Sequence, residues 1–135
     1  SIVDIGIPVM GHIGFTPQYF KKFKIQGIKE KEKFKLIKQA ESIQKAGAFS
    51  IVLECINAIT AKKITSTIKI PTIGIGSSSH CDGQILVTDD MLGLSGFYPK
   101  FVKKFAKLNN VIDIGVKKYK KAVQNKKFPS KKNIF

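Results

Sequence analysis

Short apolar runs alternate along this chain with longer amphipathic segments, and no other feature limits the fold as tightly. "IPVMGHIGF" (7–15) is followed by "KEKEKFKLIKQAESIQKAG" (29–47), in which Leu36, Ile37, Ala40, Ile43 and Gly47 share one helical stripe. Gly47 suits a helix stop. "FSIVLEC" (49–55) predicts a strand, "AITAKKITSTIK" (58–69) a weaker helix, "PTIGIG" (71–76) a strand and "QILV" (84–87) a fourth. Strands that are apolar almost throughout are buried on both faces, and strands separated by helices run parallel. The expectation is therefore an α/β fold around a parallel sheet. Periodicity does not separate an open sheet from part of a barrel. Two more helices are expected, one lined by Phe101, Val102, Phe105 and Leu108, the other by Ile112, Val116, Tyr119 and Val123. The last eight residues, "FPSKKNIF", carry no period and are expected to fray.

Glu54 breaks the apolar run of its strand. An ionised carboxylate taken out of water needs a partner. Either Glu54 leaves the strand end for solvent, or it belongs to a site that uses it. Its position favours the second reading. Polar residues cluster just after three of the expected strands: His12 and Thr16, Glu54 and Asn57, then "SSSHCDG" (77–83). In parallel α/β folds the carboxyl ends of the strands form the binding face. There Glu54 can act as a general base. His12, in "GHIGFTPQ" (11–18), can donate to a carbonyl or carboxylate, or simply pack and bond to backbone. Thr16-Pro17 suits a turn or helix entry. "IGIGSSSHCDG" (73–83) lacks the spacing of a phosphate loop and reads as a tight strand-to-loop transition. His80 with Asp82 is too weak a pair to name a metal site, and Asp89-Asp90 could bind a cation, although surface acids near a helix start are more common.

The formal net charge of +15 invites a nucleic-acid-binding module as a rival. All 24 basic residues are Lys, however, whereas nucleic-acid sites favour the bidentate fork of Arg. The Lys residues are spread along helix faces, as solvated positions are. Neither nucleic acid nor membrane is expected as a partner: no apolar run reaches the ~20 residues a spanning helix needs. Cys55 and Cys81 lack metal-ligand spacing and are expected as reduced thiols. "SIVDIGIPVM" has no basic region ahead of its apolar residues and does not read as a signal peptide. Ile2, Val3 and Ile5 read as part of an element already under way, so a start part-way through a longer protein is expected.

Taken in order, "PVMGHIGFTPQ", "IQG", "AGA…IVLEC", "IPTIGIGSSSHCDGQILVTDDMLG" and "PKF" resemble the ketopantoate hydroxymethyltransferase family. The likeness covers residues 7–105 well and the remainder loosely. It implies a (β/α)8 barrel, of which residues 1–127 supply the C-terminal half from about the fifth strand onward, with 128–135 as a tail. It implies transfer of a hydroxymethyl group from 5,10-methylenetetrahydrofolate to 3-methyl-2-oxobutanoate, giving 2-dehydropantoate for pantothenate synthesis. It implies magnesium as cofactor, a cytoplasmic location, and a large homo-oligomer, a decamer. The resemblance makes Glu54 the proton acceptor and places His12 near the oxo acid. The family's metal-binding acids and further substrate-binding residues precede the fifth strand and have no positions here, so no metal ligand is assigned. A related possibility is another magnesium-dependent, enolate-forming barrel enzyme. One departure is local: after "TPQ" the family carries a longer segment with a Gly pair, where this chain has only "YFKKFK".

Overall fold

The computed structural model describes residues 2–16 and 24–135. The turn expected at Thr16-Pro17 and most of the shortened "YFKKFK" segment lie outside the described residues. The described chain separates into two compact units, Ser1–Leu86 and Val87–Phe135.

The first unit holds a four-stranded sheet whose strands follow one another in space as they do in sequence, all parallel: β1 (Met10–Gly14), β2 (Ser50–Glu54), β3 (Thr72–Ile75) and β4 (Gly83–Gln84). α1 (Glu30–Lys45) connects β1 to β2, and α2 (Ala58–Thr67) connects β2 to β3. Ahead of β1 lies a single 3-10 turn at Val3–Ile5. The α1 stripe behaves as its spacing predicts: Leu36 and Ala40 are buried, Ile37 and Ile43 pack against them, and the helix stops before Gly47, whose φ is +89°. Side chains alternate across a strand. Ile13, Ile51 and Leu53 therefore share one face, and there they form the core with Leu36 and Ala40 of α1 and Ala61 and Ile64 of α2. The alternate positions, Met10, His12, Val52, Glu54 and Ile73, share the other face.

The link from β3 to β4 contains no helix. It is held instead by side chains. The Asp82 carboxylate accepts from the Thr72 backbone N–H at 2.8 Å and from the Thr72 hydroxyl at 2.9 Å. The Thr72 hydroxyl also lies 2.9 Å from that of Thr65 on α2. The Gln84 amide donates to the Ser78 carbonyl at 2.7 Å. β4 is shorter than "QILV" predicts, because β3 ends at Ile75 and Gly76 turns left-handed (φ +62°), leaving Leu86 and Val87 no strand to pair with.

In the second unit the sequence reading needs correction. Residues 101–107 are not helical. Their spacing suits a helix, but their donors are used elsewhere: Val102 N–H closes a turn onto Pro99 O at 2.9 Å, and Phe105 N–H reaches Met91 O at 2.8 Å. The helix lies earlier, at α3 (Thr88–Leu92), with Asp89 and Asp90 in its first turn, where carboxylates favour the helix dipole. Leu108 opens α4 (Leu108–Gln124), which carries the expected Ile112, Val116, Tyr119 and Val123. A further 3-10 turn, Lys131–Asn133, is capped by the Ser130 side chain within the exposed final residues.

Candidate active site

β1 and β2 pair so that Gly14 stands beside Glu54 and His12 beside Val52. His12 and Glu54 thus face the same way, one pleat apart, at the carboxyl ends of adjacent strands. His12 Nε2 lies 3.0 Å from Glu54 Oε2. The His12 side chain is 39% exposed and that of Glu54 13%. A bound molecule can therefore reach the pair, while the carboxylate is largely out of water. The Glu54 carboxylate thus does not run free into solvent; it has a partner in His12.

The backbone around Glu54 is held on every side. Glu54 O accepts from Phe15 N–H at 2.8 Å, and Cys55 N–H donates to Ile75 O at 2.9 Å. Strand pairing ends at Cys55, which takes a left-handed φ of +51°; few residues other than glycine adopt that conformation. Its carbonyl accepts from Gln26 N–H at 2.8 Å. Burial, and then the neighbouring Glu54 charge, push the Cys55 thiol up to about 11. Both cysteines are free and buried. Gly14, at φ +99°, makes room on the other side, since an added Cβ would meet Glu54 O at 2.1 Å.

Beside His12 a cavity of about 460 Å³ opens between the end of β1 and the first half of α1, lined in part by Thr16, Gln26, Lys35 and Gln39. Two other singled-out polar residues, Asn57 and Asp82, have structural partners. Asn57 Oδ1 caps α2 by accepting from Ile59 N–H at 3.1 Å. Asp82 serves Thr72, whose two donors hold its carboxyl below the ordinary aspartate value. Among the described residues no group of three His, Cys, Asp or Glu side chains converges as a metal site would require. No helix among them is long and apolar enough to cross a membrane. Sequence reasoning missed Ser77: its hydroxyl donates to Leu53 O at 2.6 Å and accepts from Ile56 N–H at 3.1 Å. The only signal was a hydroxyl residue placed directly after a strand-ending glycine.

The family described as ketopantoate hydroxymethyltransferase matches residues 1–131. Among curated relatives, a 3-methyl-2-oxobutanoate hydroxymethyltransferase of Clostridium novyi (strain NT) is 53% identical over 139 aligned positions, covering 100% of this chain and 50% of the relative. The protein named 3-methyl-2-oxobutanoate hydroxymethyltransferase 2 of Zymomonas mobilis is 51% identical, covering 96% of this chain and 49% of the relative. A 3-methyl-2-oxobutanoate hydroxymethyltransferase of Pelagibacter ubique is 46% identical over 100% of this chain and 52% of the relative. The chain thus spans about half the length of the curated relatives it matches. Motif order, parallel α/β topology, the strand-end carboxylate and a match running almost end to end agree: this chain belongs to the ketopantoate hydroxymethyltransferase family.

Proposed function

We propose that this chain supplies the proton-abstracting part of a hydroxymethyltransferase acting on 3-methyl-2-oxobutanoate, with 5,10-methylenetetrahydrofolate as one-carbon donor and 2-dehydropantoate as product. The observation that carries the reading is the Glu54 carboxylate at a strand's carboxyl end, out of most of the water and 3.0 Å from His12. Glu54 takes a proton from C3 of the oxo acid, beside the ketone. The electron pair of that C–H bond becomes the enolate, and C3 then forms the new carbon–carbon bond to the one-carbon unit, whose bonds to the two folate nitrogens break; water supplies the hydroxyl oxygen and tetrahydrofolate leaves. His12 fixes one carboxylate oxygen, so the other is left to meet the substrate, and the exposed part of its ring faces the place where the oxo acid would lie.

The fold is read as the C-terminal half of a (β/α)8 barrel, from about its fifth strand, with residues 1–127 in the barrel and 128–135 as a tail. The strand order supports this. Four parallel strands in sequence order show no reversal, whereas a doubly wound sheet reverses at a switch point. The helix-covered core face fits the outside of such a barrel, and the face bearing His12 and Glu54 fits its interior. Magnesium is expected from the resemblance, yet the described residues gather no ligand set for it. The contribution read for this chain is proton transfer and orientation. A cytoplasmic homo-oligomer, a decamer, completes the reading.

The test joins this chain to the half of the Clostridium novyi relative that it does not span. The readout is solvent deuterium exchange at C3 of the oxo acid without folate. Glu54→Gln keeps the shape and removes the base, and exchange should slow by roughly 10²–10⁴-fold. Exchange at the unsubstituted rate would assign the base elsewhere, with His12 the first to examine.

A further inference from the structure

The turn that presents Glu54 depends on one oxygen atom outside its own strand. Ser77 Oγ donates to Leu53 O at 2.6 Å and accepts from Ile56 N–H at 3.1 Å. These two groups bracket Glu54 and Cys55: one is the carbonyl just before Glu54, the other the N–H just after Cys55. A serine hydroxyl has one proton to give and lone pairs to receive with, and here it does both. The bracket falls where the regular ladder stops, because Cys55 has gone left-handed (φ +51°) and its carbonyl bonds to Gln26 instead of continuing toward β3. Besides the bridge, the strained Cys55 conformation is held by the Phe15 N–H bond to Glu54 O, the Gln26 N–H bond to Cys55 O and the Cys55 N–H bond to Ile75 O.

We propose that Ser77 is a positioning residue for the Glu54 base: its hydroxyl ties the two ends of the Glu54–Cys55 turn together and so sets the direction in which the carboxylate meets His12 and the substrate. Ser77 touches no reacting atom; it acts through the backbone. The inference rests on the reading of Glu54 as the base.

The discriminating variants are Ser77→Ala, which removes both bonds, and Ser77→Thr, which keeps both. In the completed enzyme, Ser77→Ala should lower kcat for C3 exchange roughly tenfold with KM for the oxo acid within about twofold, because misplacement of a catalytic group by an ångström or less is felt in the chemical step. Ser77→Thr should restore the rate. On the 135-residue chain itself, the 15N resonance of His12 Nε2 reports its bond to Glu54. Ser77→Ala should move it toward that of a free imidazole, and Ser77→Thr should return it. An unchanged His12 resonance, with the Ile56 amide exchanging faster, would show that Ser77 only braces the turn and would overturn the proposal. So would a Ser77→Ala enzyme with unaltered kcat. If the unsubstituted enzyme fails to exchange C3 at all, the function proposed above falls, and the His12 resonance still decides the role of Ser77.

Discussion

Gly14→Ala is the substitution with the most to say about how the site is built. Gly14 sits at φ +99°, and a Cβ there would lie 2.1 Å from Glu54 O and 2.8 Å from Ile56 Cγ1. The left-handed backbone alone makes alanine worse by about 1–2 kcal/mol. To escape hard overlap the Glu54 carbonyl has to retreat by roughly 1 Å. It also accepts from Phe15 N–H at 2.8 Å, and a largely buried donor left without its acceptor costs about 1–3 kcal/mol. Together these reach about 2–5 kcal/mol, a large part of the ~5–15 kcal/mol that holds a domain together. Gly6 provides the control: its φ is +80°, yet nothing lies within 4 Å of an added Cβ, so Gly6→Ala bears only the ~1–2 kcal/mol backbone term. Urea unfolding at one fixed protein concentration compares the two. Gly14→Ala should lose about 1–3 kcal/mol more stability than Gly6→Ala, and in the completed enzyme it should also slow C3 exchange. Equal losses for the two variants would mean that the approach of Gly14 to Glu54 is not a constraint, and the account of the site's packing would fail.

Three other outcomes are expected. The Cys55 thiol stays protonated in the folded chain up to about pH 11, while in the unfolded chain it ionises near its ordinary 9.0. Stability should therefore fall between those values by roughly 2–3 kcal/mol more than in Cys55→Ala, as unfolding released a proton; parallel pH profiles for the two proteins would remove the effect. Asp82 is held below the ordinary aspartate value by its bonds from Thr72, so its contribution is present above about pH 4 and lost as pH falls through the folded value. Asp82→Asn should flatten the acid limb of the unfolding curve, and an unchanged limb would count against the Thr72 bonds. Finally, β1 and β4 each have an edge without a strand partner among the described residues, and Met10 and Phe49 are exposed near one of them, so the 135-residue chain should self-associate. Sedimentation as a single monomer across a hundredfold concentration range would contradict this.

What the sequence made legible was periodic. The α1 stripe named its own buried residues, the apolar run at Ile51–Leu53 became an inner strand, and two of the strand-ending polar residues, His12 and Glu54, came together. Whatever depended on partners in space was hidden. The His12–Glu54 pair exists because Gly14 is in register with Glu54, and register is set by the whole sheet. The stripe at Phe101–Leu108 misled because backbone donors bonded to Pro99 and Met91 rather than within a helix, and side-chain spacing carries no record of where an N–H is used. "QILV" overran its strand for a related reason: a residue can extend a ladder only while its neighbour is still extended. Ser77 was invisible because its value lies in bridging a turn more than twenty residues earlier.

Adjacent strands carry both members of the His12–Glu54 pair, and among the described residues α1 lies between them in sequence. A break, fusion or exchange of coding segments elsewhere in the gene cannot part Glu54 from His12. The pair would be inherited as one cassette. Recombination between relatives would then be free to trade other segments against it, with compatibility decided at the seam where the segments dock rather than inside the pair.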